Sequence, residues 1–247
     1  MTTLAPPTGL VHSWDISTGV DGPGTRFVTF LSGCPLRCLY CQNPDTWLRG
    51  NGTRQSTDEV LAEARKYVPF IAASGGGATL SGGEPLQQPE FASALLHGFR
   101  ELGLHTALDT SGYLGGLACG ELLDATDLVL LDIKAGTPET YRRLTSRALA
   151  PTLEFAERLA TLGKPVWVRY VLVPGITDAP EEMGAVAAFA AGLGNVERVD
   201  ILPFHTLGQS KWEALNRRFV LADTPTPSAE QVDRARDEFR TRGLVAY

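Results

Sequence analysis

Short apolar runs that read as strands alternate along this chain with longer stretches of helical pattern, the mark of a parallel α/β architecture rather than a sandwich or a bundle. Six such strands are expected, at Arg26 to Ser32, Ala78 to Ser81, His105 to Thr110, Leu128 to Lys134, Val166 to Val173 and Arg198 to Phe204. Helices are expected at Thr57 to Ala73, Pro89 to Leu102, Gly120 to Ala125, Thr137 to Leu162 with a break near Pro151, Pro180 to Leu193 and Ser228 to Arg242. Ser56-Thr57-Asp58-Glu59 and Ser228-Ala229-Glu230-Gln231 carry N-capping chemistry at two of these starts. With 247 residues, 43% hydrophobic and 20% charged, the chain can bury one substantial core, and a single domain over 1–247 is expected. No apolar run is long enough to span a membrane, and a net charge of -6 without a basic cluster argues against a nucleic-acid surface.

The strands end in residues that an apolar core would not choose. The first runs into a cysteine loop, the second into Gly82-Gly83-Glu84, the third into Asp109-Thr110, the fourth into Asp132 and Lys134, and the sixth into His205. In parallel α/β folds the carboxyl edge of the strands is where ligands bind. Side chains two apart in a strand share a face, so Asp132 and Lys134 project together while Leu131 and Ile133 point the other way. Arg169 shares its face with Trp167 and Val171, and a guanidinium placed there needs an anion, either a ligand carboxylate or a protein acid such as Glu84.

The cysteine loop is Gly33-Cys34-Pro35-Leu36-Arg37-Cys38-Leu39-Tyr40-Cys41-Gln42-Asn43-Pro44, a C-x3-C-x2-C spacing. Zinc and ordinary four-iron clusters take four protein ligands, and clustered thiolates select those metals over hard cations. Three thiolates leave one metal position for a ligand that is not protein. A zinc knuckle completed by Cys119 or a histidine is the alternative, although no second Cys/His pair follows at finger spacing. Four cysteines are too few for a stapled secreted scaffold, and the N-terminus lacks a basic-then-apolar export segment, so a cytoplasmic, reduced chain is expected.

This spacing resembles the radical S-adenosylmethionine (SAM) superfamily. Within it, His12-Ser13, Gly19-Val20-Asp21-Gly22-Pro23-Gly24-Thr25-Arg26-Phe27, Cys38-Leu39-Tyr40-Cys41-Gln42-Asn43, Ala73 to Gly77, Leu108 to Gly112, Leu131 to Lys134, Arg169 to Gly175, and Leu202 to Gly208 with Lys211-Trp212 are similar, in order, to the pyruvate formate-lyase-activating family. The resemblance implies an incomplete (β/α)6 TIM-like barrel of parallel strands, the radical SAM fold. It also implies a [4Fe–4S] cluster on Cys34, Cys38 and Cys41, with SAM on the fourth iron. Tyr40, Gln42, Gly83, Asp132, Lys134, Arg169 and His205 match SAM-binding positions, although members often carry His where this chain has Gln42. Asp109, Thr110, Leu130 and Asp132 match a monovalent-cation site (sodium or potassium), where Leu130 offers only its carbonyl. Asp21 matches a position that meets the partner's glycine loop. The implied activity makes a glycyl radical on pyruvate formate-lyase, with a flavodoxin or ferredoxin-type reductant and a monomeric activase. The cysteine-rich insert of some relatives is lacking, and Cys119 is expected to be a small apolar filler.

Overall fold

The computed structural model describes residues 6–247. Residues 1–5, part of the N-terminal stretch read above as lacking an export signal, lie outside the described residues. The chain forms two compact units, the first made of the described residues up to Cys34 with Thr46–Thr110 and Gly116–Val129, the second of Pro35–Asp45, Ser111–Gly115 and Leu130–Tyr247.

In the first unit the elements are β1 (Thr8–Thr18), β2 (Thr25–Leu31), β3 (Thr53–Ser56), α1 (Thr57–Arg65), α2 (Val68–Ala73), β4 (Gly77–Gly82), α3 (Pro89–Glu101), β5 (His105–Thr110), α4 (Gly120–Asp124) and the opening of β6 (Leu128–Asp132). The strand order is β3-β1-β2-β4-β5-β6. β2, β4 and β5 run parallel, while β1 is antiparallel to both β2 and β3. β2 is buried at every position but Phe30, as a parallel strand covered on both faces must be. Its Phe27 stacks on Trp14 at 5.3 Å and meets Phe99 of α3 at 6.1 Å.

The second unit holds the end of β6, then α5 (Pro138–Thr145), α6 (Ala150–Thr161), β7 (Val166–Leu172), α7 (Pro180–Leu193), β8 (Val196–Pro203), α8 (Gln209–Ala214) and α9 (Ala229–Arg240). The order here is β6-β7-β8, with β7 and β8 parallel. The outer edge of β8 is covered by the last residues, where Val199 donates to Val245 O at 2.8 Å and Tyr247 donates to Val199 O at 3.0 Å. β7 alternates strictly, with Val166, Val168, Tyr170 and Leu172 buried and Trp167, Arg169 and Val171 on the more open face. Tyr170 packs on Phe239 of α9 at 5.9 Å.

All six expected strands are present as β2 and β4 to β8. Two strands were not anticipated, because β3 has no apolar residue and β1 is largely polar, so each is defined by its partners and not by its own pattern. The stretch Thr57 to Ala73 is two helices instead of one. Pro69 sits in the first turn of α2, where its missing N–H costs nothing, whereas inside a continuous helix it would remove a hydrogen bond. The break expected near Pro151 falls at 146–149, where Ser146 turns left-handed at φ 63°, and Pro151 lies in the opening turn of α6. The N-cap expected at Ser56 forms, with Glu59 completing a capping box, and the capping box expected at Ser228 with Gln231 forms as well. Cys119 corrects its expectation: it is exposed at the start of α4 and fills no core space. Among the described residues no helix is long and apolar enough to cross a membrane.

Candidate functional site

In the first unit, β2 delivers the chain into Gly33 and Cys34, whose amides donate to Thr46 O at 2.7 Å and Trp47 O at 3.1 Å. β4 ends beside them. Gly83 donates to Leu31 O and Glu84 donates to Gly33 O, each at 2.8 Å. A Cβ on Gly83 would lie 2.3 Å from Gly33 O, so only glycine lets the two turns approach. Glu84 is buried and accepts from Thr110 Oγ1 at 2.7 Å and Leu86 N at 3.1 Å. Asp109 accepts from Ser81 Oγ at 2.5 Å.

The loop carrying Asp21 is fastened from below by a residue whose role the motif reading left unassigned. Arg26 is wholly buried in β2. Its guanidinium donates to Thr79 Oγ1 at 2.9 Å, Pro23 O at 3.4 Å, Ala78 O at 2.5 Å and His105 O at 3.2 Å, and Thr79 Oγ1 in turn donates to Asp21 O at 2.7 Å. Burial lowers the Arg26 pKa to about 10, against the opposing pull of Asp21 and Asp127. The available signal was an arginine inside an otherwise apolar strand, directly after a Gly-Pro-Gly-Thr turn.

In the second unit, Arg37 and Leu39 donate to Thr145 O at 2.8 Å and Leu144 O at 3.0 Å, using carbonyls left open at the end of α5. Cys38 is thereby buried, and burial pushes its thiol up to about 12, opposed chiefly by Lys134. Tyr40, Asp132 and Lys134 act electrostatically on it, and Arg169 stands beside Asp132. Lys134 Nζ is 2.9 Å from Asp132 Oδ2, and Arg169 Nε is 3.9 Å from Asp132 Oδ1, with side-chain exposures of 12%, 20% and 15% for Lys134, Asp132 and Arg169. Asp132 is thus an acid beside Arg169 within this unit. Burial alone would raise the Asp132 pKa, but Lys134 and Arg169 outweigh it and hold the carboxyl below its ordinary value. Burial would likewise discharge Lys134, yet Asp132, Tyr40 and Cys38 keep it protonated well beyond the ordinary lysine range. Lys134 Nζ stands 5.7 Å from the Tyr40 ring centre, and the buried Tyr40 hydroxyl has no hydrogen-bond partner among the described residues.

A second group in this unit joins Gln42 to His205. Gln42 Nε2 donates to Tyr40 O at 3.0 Å and His205 O at 3.1 Å, and its Oε1 accepts from Gly208 N at 2.7 Å. His205 is exposed, and its Nδ1 accepts from Leu207 N at 3.4 Å. Trp212 Nε1 donates to Cys41 O at 2.9 Å. Lys211 Nζ donates to Asn43 Oδ1 at 2.7 Å and lies 3.5 Å from Asp45. The side chain of Leu130 is buried, so only its carbonyl can serve a ligand.

The second unit thus gathers Cys38, Tyr40, Asp132, Lys134 and Arg169, and separately Gln42 and His205. The first brings Gly83 against the residue before Cys34. No cysteine is in a disulfide. Soft thiol donors beside a retained ammonium and a buried, unengaged phenol suit an anionic iron–sulfur cluster with a polar ligand next to it.

Comparison with known proteins agrees with this chemistry. Residues 28–187, more than half of the chain, match the Radical SAM superfamily model. The pyruvate formate-lyase-activating enzyme of Listeria monocytogenes is 43% identical over 232 residues, covering 91% of this chain and 93% of that protein. Pyruvate formate-lyase 1-activating enzyme of Escherichia coli K12 is 40% identical over 230 residues, covering 92% and 94%. Among solved structures, a domain of pyruvate-formate lyase-activating enzyme from Bacteroides vulgatus is 25% identical, covers 70% of this chain and 98% of that one, and superposes with a TM-score of 0.57. A superfamily match over most of the strands, joined to relatives alike along nearly their whole length, leads to one conclusion: the chain belongs to the pyruvate formate-lyase-activating enzymes of the radical SAM superfamily.

Proposed function

We propose that this protein activates pyruvate formate-lyase by placing a radical on one glycine of that enzyme. The reading rests on its family and, in this chain, on one observation above others: a buried carboxylate, Asp132, between Lys134 and Arg169, beside the Cys38 thiol. When bound, a [4Fe–4S] cluster and SAM supply one-electron cleavage of the sulfonium to methionine and a 5'-deoxyadenosyl radical, which takes the glycine Cα hydrogen and leaves 5'-deoxyadenosine.

Cys34, Cys38 and Cys41 would hold the cluster as thiolates, leaving one iron for SAM. Lys134 and Arg169 provide positive charge for the SAM carboxylate, with Asp132 keeping both oriented. Gly83 admits the methionyl amine to the backbone turn, and Tyr40 and Gln42 flank the nucleoside. His205 would hydrogen-bond the adenosine portion, with Nδ1 already met by the Leu207 amide. Asp109, Thr110, Leu130 and Asp132 would enclose a sodium or potassium ion, a hard cation suited to carboxylate and carbonyl oxygens. Asp21 receives amides of the partner's glycine loop. The 1–247 chain would act as a single radical SAM domain. It would be a cytoplasmic monomer reduced by a flavodoxin or ferredoxin-type donor. No side chain is required as a general acid or base, because the cofactors carry the bond cleavage.

The test is anaerobic electron paramagnetic resonance of reduced, reconstituted protein with SAM and a pyruvate formate-lyase of the same source. A glycyl-radical doublet that needs SAM and all three cysteines is expected. Accumulation of 5'-deoxyadenosine without a doublet would keep the SAM chemistry and reject the partner. Asp21→Asn should depress the doublet while leaving partner-independent SAM cleavage nearly intact; equal loss of both would reject its assignment.

A further inference from the structure

The Gln42 side chain is fully employed. Both amide hydrogens have acceptors, one on each of two separate segments: Tyr40 O within the cysteine loop and His205 O beyond β8. Its oxygen takes the Gly208 amide at 2.7 Å. The fit is close, since a Cβ on Gly208 would lie 2.8 Å from Gln42 Oε1 and 2.9 Å from Gln42 Cα. Trp212 and Lys211 repeat the connection one turn later, through Cys41 O and Asn43 Oδ1. One carboxamide, an indole and an ammonium therefore lash residues 40–45 to residues 205–212.

Geometry decides what Gln42 can do for a ligand. An amide has two donors and an oxygen acceptor, and all three are directed at protein backbone here. A side chain so engaged makes no direct donor contact with SAM unless it abandons that network. A neutral imidazole has one donor and one acceptor, so it could serve Gly208 N and only one of the two carbonyls. We propose that Gln42 is a positioning residue: its carboxamide fixes the His205–Gly208 segment against the last cysteine, and so sets where the His205 ring stands for the nucleoside end of SAM. The proposal rests on the SAM-binding reading given above and adds to it a residue that acts through His205 rather than on SAM itself. Leu207, 82% exposed between these pinned neighbours, adds no burial of its own to the hold on the segment.

The test reads the segment and the chemistry separately. Hydrogen exchange of the anaerobic, cluster-loaded protein, without turnover, should show the Leu207 and Gly208 amides exchanging about tenfold faster in Gln42→Ala, the effect of losing one to two net hydrogen bonds. Exchange in β7 and α9 should be unchanged. The same variant should raise the KM for SAM about tenfold in partner-independent cleavage while kcat at saturation stays within about twofold, because the radical chemistry is untouched. Gln42→His, which keeps the Gly208 bond, should recover most of the protection and of the affinity. Gly208→Ala provides a second, independent disruption, in which the new methyl crowds the Gln42 carboxamide and Cα; its exchange and KM should move in the same direction as those of Gln42→Ala. Unchanged exchange at Gly208 in Gln42→Ala would overturn the proposal, as would faster exchange with unaltered KM. If exchange behaves as expected but even the unsubstituted protein cleaves no SAM, the proposed function fails, together with the role assigned to the staple in SAM binding, while the staple itself stands.

Discussion

Replacing Asp132 with Asn tests the electrostatic centre of the second unit most directly. The substitution keeps shape but removes the carboxylate that lies 2.9 Å from Lys134 and 3.9 Å from Arg169. All three side chains are at most 20% exposed, so water screens little of the effect. Removing one member of a buried ion group leaves uncompensated charge and costs about 3–5 kcal/mol. In a chain of this size that corresponds to a fall in melting temperature of roughly 6–20 °C. Anaerobic urea and thermal unfolding of matched cluster-loaded preparations would measure it. A second substitution supplies the internal control. Lys134→Met alone leaves Asp132 with a more distant cation, whereas Asp132→Asn with Lys134→Met removes the charges that faced one another, so the double variant should lose less than the two singles together, by about 0.5–3 kcal/mol. SAM affinity should fall in both single variants. A loss below about 1 kcal/mol for Asp132→Asn, or strict additivity of the pair, would refute the claim that these groups form one interdependent network.

Three further outcomes are expected. Gly83→Ala forces a methyl to 2.3 Å from Gly33 O, so the turn before Cys34 must move; iron content per chain should drop and stability should fall by about 1–3 kcal/mol. Glu182, buried in the first turn of α7, accepts Gly136 N at 2.7 Å, Thr137 N at 3.0 Å and Thr137 Oγ1 at 2.5 Å. Burial pulls its pKa up, but hydrogen bonds from Thr137, Thr140 and the Thr137 and Gly136 amides outweigh that and hold it below the ordinary 4.5. Its contribution is therefore complete above the ordinary value and disappears as pH falls through the folded one. Glu182→Gln should lose about 1–3 kcal/mol near neutrality, a gap that closes on acidification, and urea midpoints measured across pH would show it. Cys119→Ser, at an exposed position, should leave iron content unchanged and stability within about 0.5 kcal/mol; a drop in iron would place Cys119 at the cluster.

Much of this protein is legible in one dimension because its signals are local. Six strands announce themselves by apolar runs, two helix starts by Ser-x-x-Glu and Ser-x-x-Gln, and the facing of Asp132 with Lys134 by the two-residue period of a strand, all of which the structure bears out. The cysteine spacing and the ordered motifs pointed to the family that the relatives establish. What remained hidden depends on pairings distant in sequence. β1 and β3 are strands only because they border β2 and each other, and no pattern within Thr53–Ser56 could reveal that. Arg26 becomes the anchor of the Asp21 loop through Thr79, 53 residues away, and Gln42 becomes a tie to Gly208 across 166. The chain alone sets which groups are available and which face of an element they share, since both follow from backbone geometry over a few residues. Only the folded structure decides how deeply Asp132 and Lys134 are buried and where the Gln42 amide spends its hydrogen bonds, because burial and partners are properties of segments brought together, not of the segments themselves.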